Sequence, residues 1–193
     1  MSNQVAGYSF VARFLHWTMA LLVLAMLVLG FVMVQDGIAK PIRGLLFMLH
    51  KNTGVLILAL VVIRFVWRKI DPPPALPDSV PGWQRSLAQF NHSALYLLLF
   101  LMPIVGYVRV KAADLPIESL DAMGLGRLAP VSEPLADVAS TLHQIGALAL
   151  TFFVALHLLG AFYHGVIRRD GVYSRMRWGK RGRPTATPLP AHQ

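Results

Sequence analysis

Cysteine is absent from the 193-residue chain, which excludes disulfides, iron–sulfur clusters, thiolate nucleophiles and covalent c-type haem attachment. Charge is scarce as well. Only 14% of residues are Asp, Glu, Lys or Arg and 55% are hydrophobic, whereas a soluble domain carries about a quarter charged residues. A water-soluble domain is thereby excluded and a membrane protein is implied. The nine acidic residues all lie outside the long apolar runs. At roughly 20 apolar residues per crossing plus a connection, the length allows about four spans. With thiols missing, the seven histidines are the ligands available to a redox centre.

Three uncharged runs are long enough to cross: residues 14–35, bounded by Arg13 and Asp36, residues 86–108, and residues 138–167. A fourth is interrupted by His50, Lys51 and Asn52, leaving only 53–63 between Lys51 and Arg64. It spans if those two cations sit near opposite interfaces and snorkel, or meet a buried anion. The reading is an all-α, up-down four-helix transmembrane bundle with helices at about 11–34, 44–68, 84–109 and 138–167. One domain covers 1–178, and a basic, proline-containing tail over 179–193 is expected to be disordered. The first run lacks a small-residue cleavage site and carries His16 and Trp17, so it reads as a helix rather than a signal peptide.

Basic residues set the orientation. Arg13, Arg64, Arg68, Lys69, Arg85 and seven in 168–183 fall on the side of the termini, against six opposite: Lys40, Arg43, Lys51, Arg109, Lys111 and Arg127. Six of the nine acids lie on that opposite side, so the net charge of +9 belongs to the side of the termini and the other face is neutral. The positive-inside rule places both termini in the cytoplasm. The basic stretch RRDGVYSRMRWGKRGRP therefore reads as topology and contact with anionic lipid, not as a nucleic-acid site. Residues 71–82, with five prolines, form a stiff link. Residues 111–137 suit a short interfacial helix over the outer mouth, or an ordinary loop. Pro103 is expected to kink the third helix.

An ionisable side chain in a span is rare and by default functional. His143 and His157 are 14 residues apart, about 40° short of four full turns, so they share a face at heights about 21 Å apart, too far for one ion. His16 begins the first helix and His50 the antiparallel second, offering one imidazole at each height. The pairs are His50 with His143 near the outer face and His16 with His157 near the inner. Facing pairs make the axial ligands of two b-type haems, iron protoporphyrin IX. A zinc site, which wants four ligands at one level, and histidines merely hydrogen-bonded between helices are the competing readings. His92 is the runner-up inner ligand, but 14 residues on stands Gly106, so it has no outer counterpart. Gly30 lies 14 residues after His16, at the outer level, and Gly54 one turn after His50; both give a macrocycle room or serve ordinary close packing. Arg64, 14 residues after His50, meets a haem propionate at the inner level or snorkels to lipid phosphate.

The segments FLHWTMA, MLHKNTGVLIL, VIRFVWR, NHSALYLLLFLMPIVGY and TLHQIGALALTFFVALHLLGAFYHG together resemble the bacterial cytochrome b-561 proteins, dihaem cytochromes of the inner membrane. The likeness runs from Tyr8 to about Trp178. The family's axial ligands match His16, His50, His143 and His157. The resemblance implies superoxide:ubiquinone oxidoreductase activity, superoxide giving its electron at the outer face and ubiquinone taking it up from the inner haem. The neutral outer loops depart from what an anionic substrate favours. In this reading Lys51, with Lys40 and Arg43, attracts superoxide. His164, seven residues below His157, hydrogen-bonds a quinone carbonyl and passes protons, or simply meets headgroups. The alternative is a relay subunit between quinone and a partner dehydrogenase or hydrogenase. His192 falls in the tail.

Overall fold

The computed structural model describes residues 7–125 and 127–178; the tail over 179–193, with His192, lies outside the described residues. The chain is all-helical among them. Four long helices alternate in direction: α1 (Phe10–Val32), α2 (Lys40–Ile70), α3 (Gly82–Ala112) and α5 (Glu133–Phe162), with a five-residue α4 (Glu118–Ala122) between α3 and α5. A π-helical turn, Tyr163–Arg168, continues α5, and a 3-10 turn, Tyr173–Met176, follows. All four long helices are long and apolar enough to cross a bilayer, so this is a multi-pass membrane bundle.

The helices begin up to five residues before their apolar runs because local signals start them. Ser132 caps α5, its hydroxyl accepting from the Leu135 N–H, and Pro134 occupies the first turn. Pro41 does the same for α2. Proline loses nothing there, since the first N–H groups of a helix are unpaired anyway. α3 runs through Pro103 without ending.

Backbone packing joins α1 to α2, α2 to α3 and α3 to α5. Leu15, Met19 and Val23, spaced at four, are buried in α1, with Ile57 and Val61 in α2, the spacing of one helical face. Leu21, Leu97, Phe152 and Phe162 remain exposed; in a bilayer such side chains face lipid. The closest approach is at Gly146 of α5, where an added Cβ would collide with the Met102 side chain of α3.

At the end of the bundle carrying the termini, the last described segment folds back across α1 and the 71–82 link. Tyr8 N–H bonds the Arg175 carbonyl at 3.1 Å, and the Trp17 indole donates to the Met176 carbonyl at 2.9 Å. Arg13 is buried, not snorkelled into lipid as its place at the span's edge suggested; its guanidinium donates to the Arg177 carbonyl at 2.6 Å. The proline-rich link is no free spacer either. Buried Arg175 donates to the Pro74 and Ala75 carbonyls, Arg85 to those of Val80 and Pro77, and Arg168 to that of Ser79. Proline-rich backbone has carbonyls but few N–H groups of its own to pair them with, and arginine supplies donors.

Candidate functional site

Each histidine singled out by spacing lies on a long helix and meets its expected partner. The rings of His16 (α1) and His157 (α5) have centroids 6.0 Å apart at 72°. Those of His50 (α2) and His143 (α5) are 6.2 Å apart at 75°. The main backbone packing joins α5 to α3 rather than to α1 or α2, so the imidazoles reach across the bundle's interior. A ligating nitrogen sits about 2 Å from its metal ion and the ring centre roughly 1 Å further out, so two imidazoles on opposite sides of one ion have centroids about 6 Å apart. Both pairs have that separation.

The histidines are not tied up as interhelical hydrogen bonds. The Nδ1 atoms of His50 and His143 are shut off from solvent with no hydrogen bond; the Met102 backbone lies beside His143 but outside hydrogen-bond geometry. Buried unpaired polar atoms are costly and point to a missing partner. Among the described residues no three His, Asp or Glu side chains are arranged to hold one ion, which disfavours zinc. The residues fit haem.

Glycines frame the His50–His143 pair. A Cβ at Gly30 would stand 3.2 Å from His50 Cε1, and one at Gly106 would stand 3.1 Å from His143 Cε1. Gly54 instead faces Met26 of α1 at ordinary contact distance. Gly106 was visible in the sequence only as the missing histidine on α3; its contact depends on the approach of α3 to α5, which spacing along one chain does not reveal.

Cations accompany both pairs. Arg64 is near enough to His16, His92 and His157 to interact electrostatically with each, and its guanidinium donates to the Ala12 carbonyl at 3.1 Å. Arg109 stands in the same relation to His50 and His143. Sequence reasoning used Arg109 only for topology, although it lies one turn beyond Gly106. His92 of α3 also approaches His157, with centroids 5.4 Å apart, about half an ångström or more short of the separation for opposite sides of one ion.

Lys51 is half-buried and engaged. Its ammonium donates to Glu118 Oε1 at 2.9 Å and to the Pro116 carbonyl at 2.6 Å. Asn52 donates to Glu118 Oε2 and accepts from the Ser119 N–H, each at 2.8 Å. The residues after His50 therefore dock α4 over this end of the bundle. Lys111 pairs with Asp121 at 2.5 Å, and Arg127 pairs with Asp114.

These pairs make the segment between α3 and α5 acid-sensitive. Burial pushes the Glu118 carboxyl up, but hydrogen bonds from Lys51, its own backbone and Asn52 outweigh this and hold it below its ordinary value of 4.5. The Lys111 hydrogen bond is the chief cause holding Asp121 below 3.8. A carboxyl depressed in the folded state contributes stability that is present above its unfolded value and lost as pH falls through the folded value. Protection of the Ser119 amide against exchange, relative to its intrinsic rate at each pH, is therefore expected to hold from neutrality down to the ordinary carboxylate range and to fall below it. In Glu118→Gln it is expected to be low throughout.

At the other end, His164 begins the π-helical turn's departure from α5, with Nδ1 at 2.6 Å from Asp170 Oδ2. The structure thus sets His16, His157, His92, Arg64 and Arg68 near one height, His50, His143, Gly30, Gly106 and Arg109 near the other, and His164 with Asp170 beyond the first.

Paired imidazoles inside an apolar four-helix bundle define a membrane cytochrome of the b class. The family model for prokaryotic cytochrome b561 matches residues 7–179, and the chain belongs to that family. It is 31% identical over 175 residues to cytochrome b561 homolog 2 of Escherichia coli K12, covering 91% of this chain and 93% of that protein. To the probable superoxide oxidase CybB of Yersinia pestis it is 28% identical over 180 residues, covering 91% and 98%. To cytochrome b561 homolog 1 of Escherichia coli K12 it is 23% identical over 130 residues, covering 66% and 72%. Membership makes this a haem b-binding membrane electron-transfer protein.

Proposed function

We propose that the chain holds two haem b groups, one between His16 and His157 and one between His50 and His143, and carries electrons from superoxide to ubiquinone across a bacterial inner membrane. The observation that carries the reading is the pair of imidazole couples, 6.0 and 6.2 Å apart, at two heights of one bundle. The termini face the cytoplasm, supported by the excess of Lys and Arg on their side. Superoxide as donor is supported by the name of the 28%-identical Yersinia relative.

When bound, the haem groups supply one-electron transfer between the two faces. Arg64 and Arg109 would offer their guanidinium groups to haem propionates, and Gly30 keeps the space beside His50 open. Lys51, whose charge is balanced by Glu118, acts on superoxide through a weakened field, so attraction of the anion falls mainly to Lys40 and Arg43 at the rim. At the inner end His164 hydrogen-bonds a quinone carbonyl and delivers a proton. The overall reaction balances as two superoxide anions, one quinone and two protons giving two dioxygen molecules and one quinol.

In proteoliposomes containing ubiquinone, externally generated superoxide is expected to form quinol at one molecule per two superoxide consumed, and superoxide dismutase is expected to stop it. A protein that stays oxidised under superoxide, yet is reduced by a co-purifying dehydrogenase, would instead be a relay subunit.

A further inference from the structure

Asp170 belongs to no role assigned so far, and its setting is built rather than incidental. The π-helical turn widens the end of α5 from Tyr163; such turns are rare and concentrate at functional sites. Arg169 follows in the left-handed region at φ 51°, which reverses the chain and brings Asp170 back beneath His164. Gly165 permits this turn to close, because Tyr173 lies where a side chain would be, at 3.0 Å from an added Cβ. The Asp170 side chain is only 6% exposed. One oxygen faces His164 Nδ1 at 2.6 Å and the other accepts from the Val172 N–H at 3.2 Å. The charged and titratable groups around His164 are Asp170 and Arg168, whose Nε is 3.9 Å from the same carboxylate oxygen, and Tyr163, whose ring packs edge-on at 5.4 Å.

A carboxylate on one imidazole nitrogen fixes the proton there and stabilises the doubly protonated ring. We propose that Asp170 is the positioning residue of the quinone-reducing site. It accepts from His164 Nδ1–H, so that Nε2 is the nitrogen that carries and releases the transferable proton. This rests on the reading of His164 as the quinone's partner. A quinone becomes quinol by gaining two electrons and two protons. His164 gives one proton from Nε2 to a carbonyl oxygen and is left as the Nδ1–H form, still bonded to Asp170; water recharges Nε2 and supplies the second.

The test uses the full-length, haem-loaded protein, reduced beforehand with dithionite so that superoxide is not involved, and mixed with a short-chain ubiquinone. Asp170→Ala is expected to slow oxidation by quinone about 100-fold, the low end of what a positioned acid contributes, mostly in kcat rather than KM, and Asp170→Glu is expected to recover a large part. The independent readout is the 15N spectrum of the histidine rings in the reduced protein at alkaline pH. His164 is expected as the Nδ1–H form in the unaltered chain and as the Nε2–H form in Asp170→Ala. Unaltered haem content shows that the variants fold. Wild-type oxidation kinetics in Asp170→Ala, or slowed kinetics with an unchanged ring form, would overturn the proposal. If His164→Leu is oxidised by quinone at the wild-type rate, it is the quinone reading of His164 that fails, while the ring spectrum still decides what Asp170 does.

Discussion

His157→Ala is expected to carry one haem per chain where the unaltered protein is expected to carry two, as read by the pyridine haemochrome assay against protein concentration. His143→Ala is expected to do the same and to leave the other low-spin signal in the electron paramagnetic resonance spectrum. The double variant is expected to carry none. The reasoning is geometric. Each of these side chains is the α5 half of a couple whose partner stands on another helix, at ring-centroid distances of 6.0 and 6.2 Å, so its removal leaves the facing imidazole without its counterpart. The inner site tests this hardest because it holds a third imidazole. His92 lies 5.4 Å from His157 and His16 lies 6.0 Å from it; only the second suits ligation from opposite sides. His16→Ala is therefore expected to lose the inner haem and His92→Ala to keep both. The reverse outcome would move the inner axial ligand to α3.

The second large effect comes from residues that contribute no side chain. At Gly106 the first added carbon would already lie 3.1 Å from His143 Cε1 and 3.4 Å from Nδ1, and at Gly30 it would lie 3.2 Å from His50 Cε1. Alanine forces each ring to give by a few tenths of an ångström. Valine adds two further branches into the same space, and overpacking of this kind typically costs about 1–3 kcal/mol even where the neighbour is free to move. An axial imidazole is not free to move. Gly106→Val and Gly30→Val are expected to lose the outer haem while retaining the inner, so haem per chain falls to about half. Gly160→Val is the control, because nothing lies within 4 Å of an added Cβ there; it is expected to keep full haem content. Retention of both haems in Gly106→Val would mean that His143 is not held in place by iron.

Much of this site is legible in the sequence because helices in a bilayer turn spacing into position. Hydrocarbon demands internally bonded backbone, so an apolar run fixes a helix. A 14-residue interval then fixes both face and height. That is why His143 and His157 predict their partners on α1 and α2, and why Gly30 lies against His50. The misfits have a common cause. Where the chain leaves the apolar region, spacing no longer dictates position, and hydrogen-bonding partners do. Arg13 reads as a snorkelling cation, yet a carbonyl some 160 residues away captures it. Lys51 reads as a snorkelling cation, or one that meets a buried anion or attracts superoxide, and it is the loop's Glu118 that folds over it. Gly54 sits on the face turned to Met26 rather than to an imidazole, since one turn after a histidine is also one step round the helix. The His164–Asp170 contact depends on a widened turn that no apolar periodicity announces.

The locking of the first described residues to the last has a consequence in time. Arg13, Trp17 and Tyr8 grip carbonyls and backbone between Arg175 and Arg177, so this latch cannot close until the segment after α5 has been made. Chains emerge from the amino terminus at about 5–20 residues per second. From the making of α5 until that segment follows it, the seam between the first long helix and the last stands unfastened.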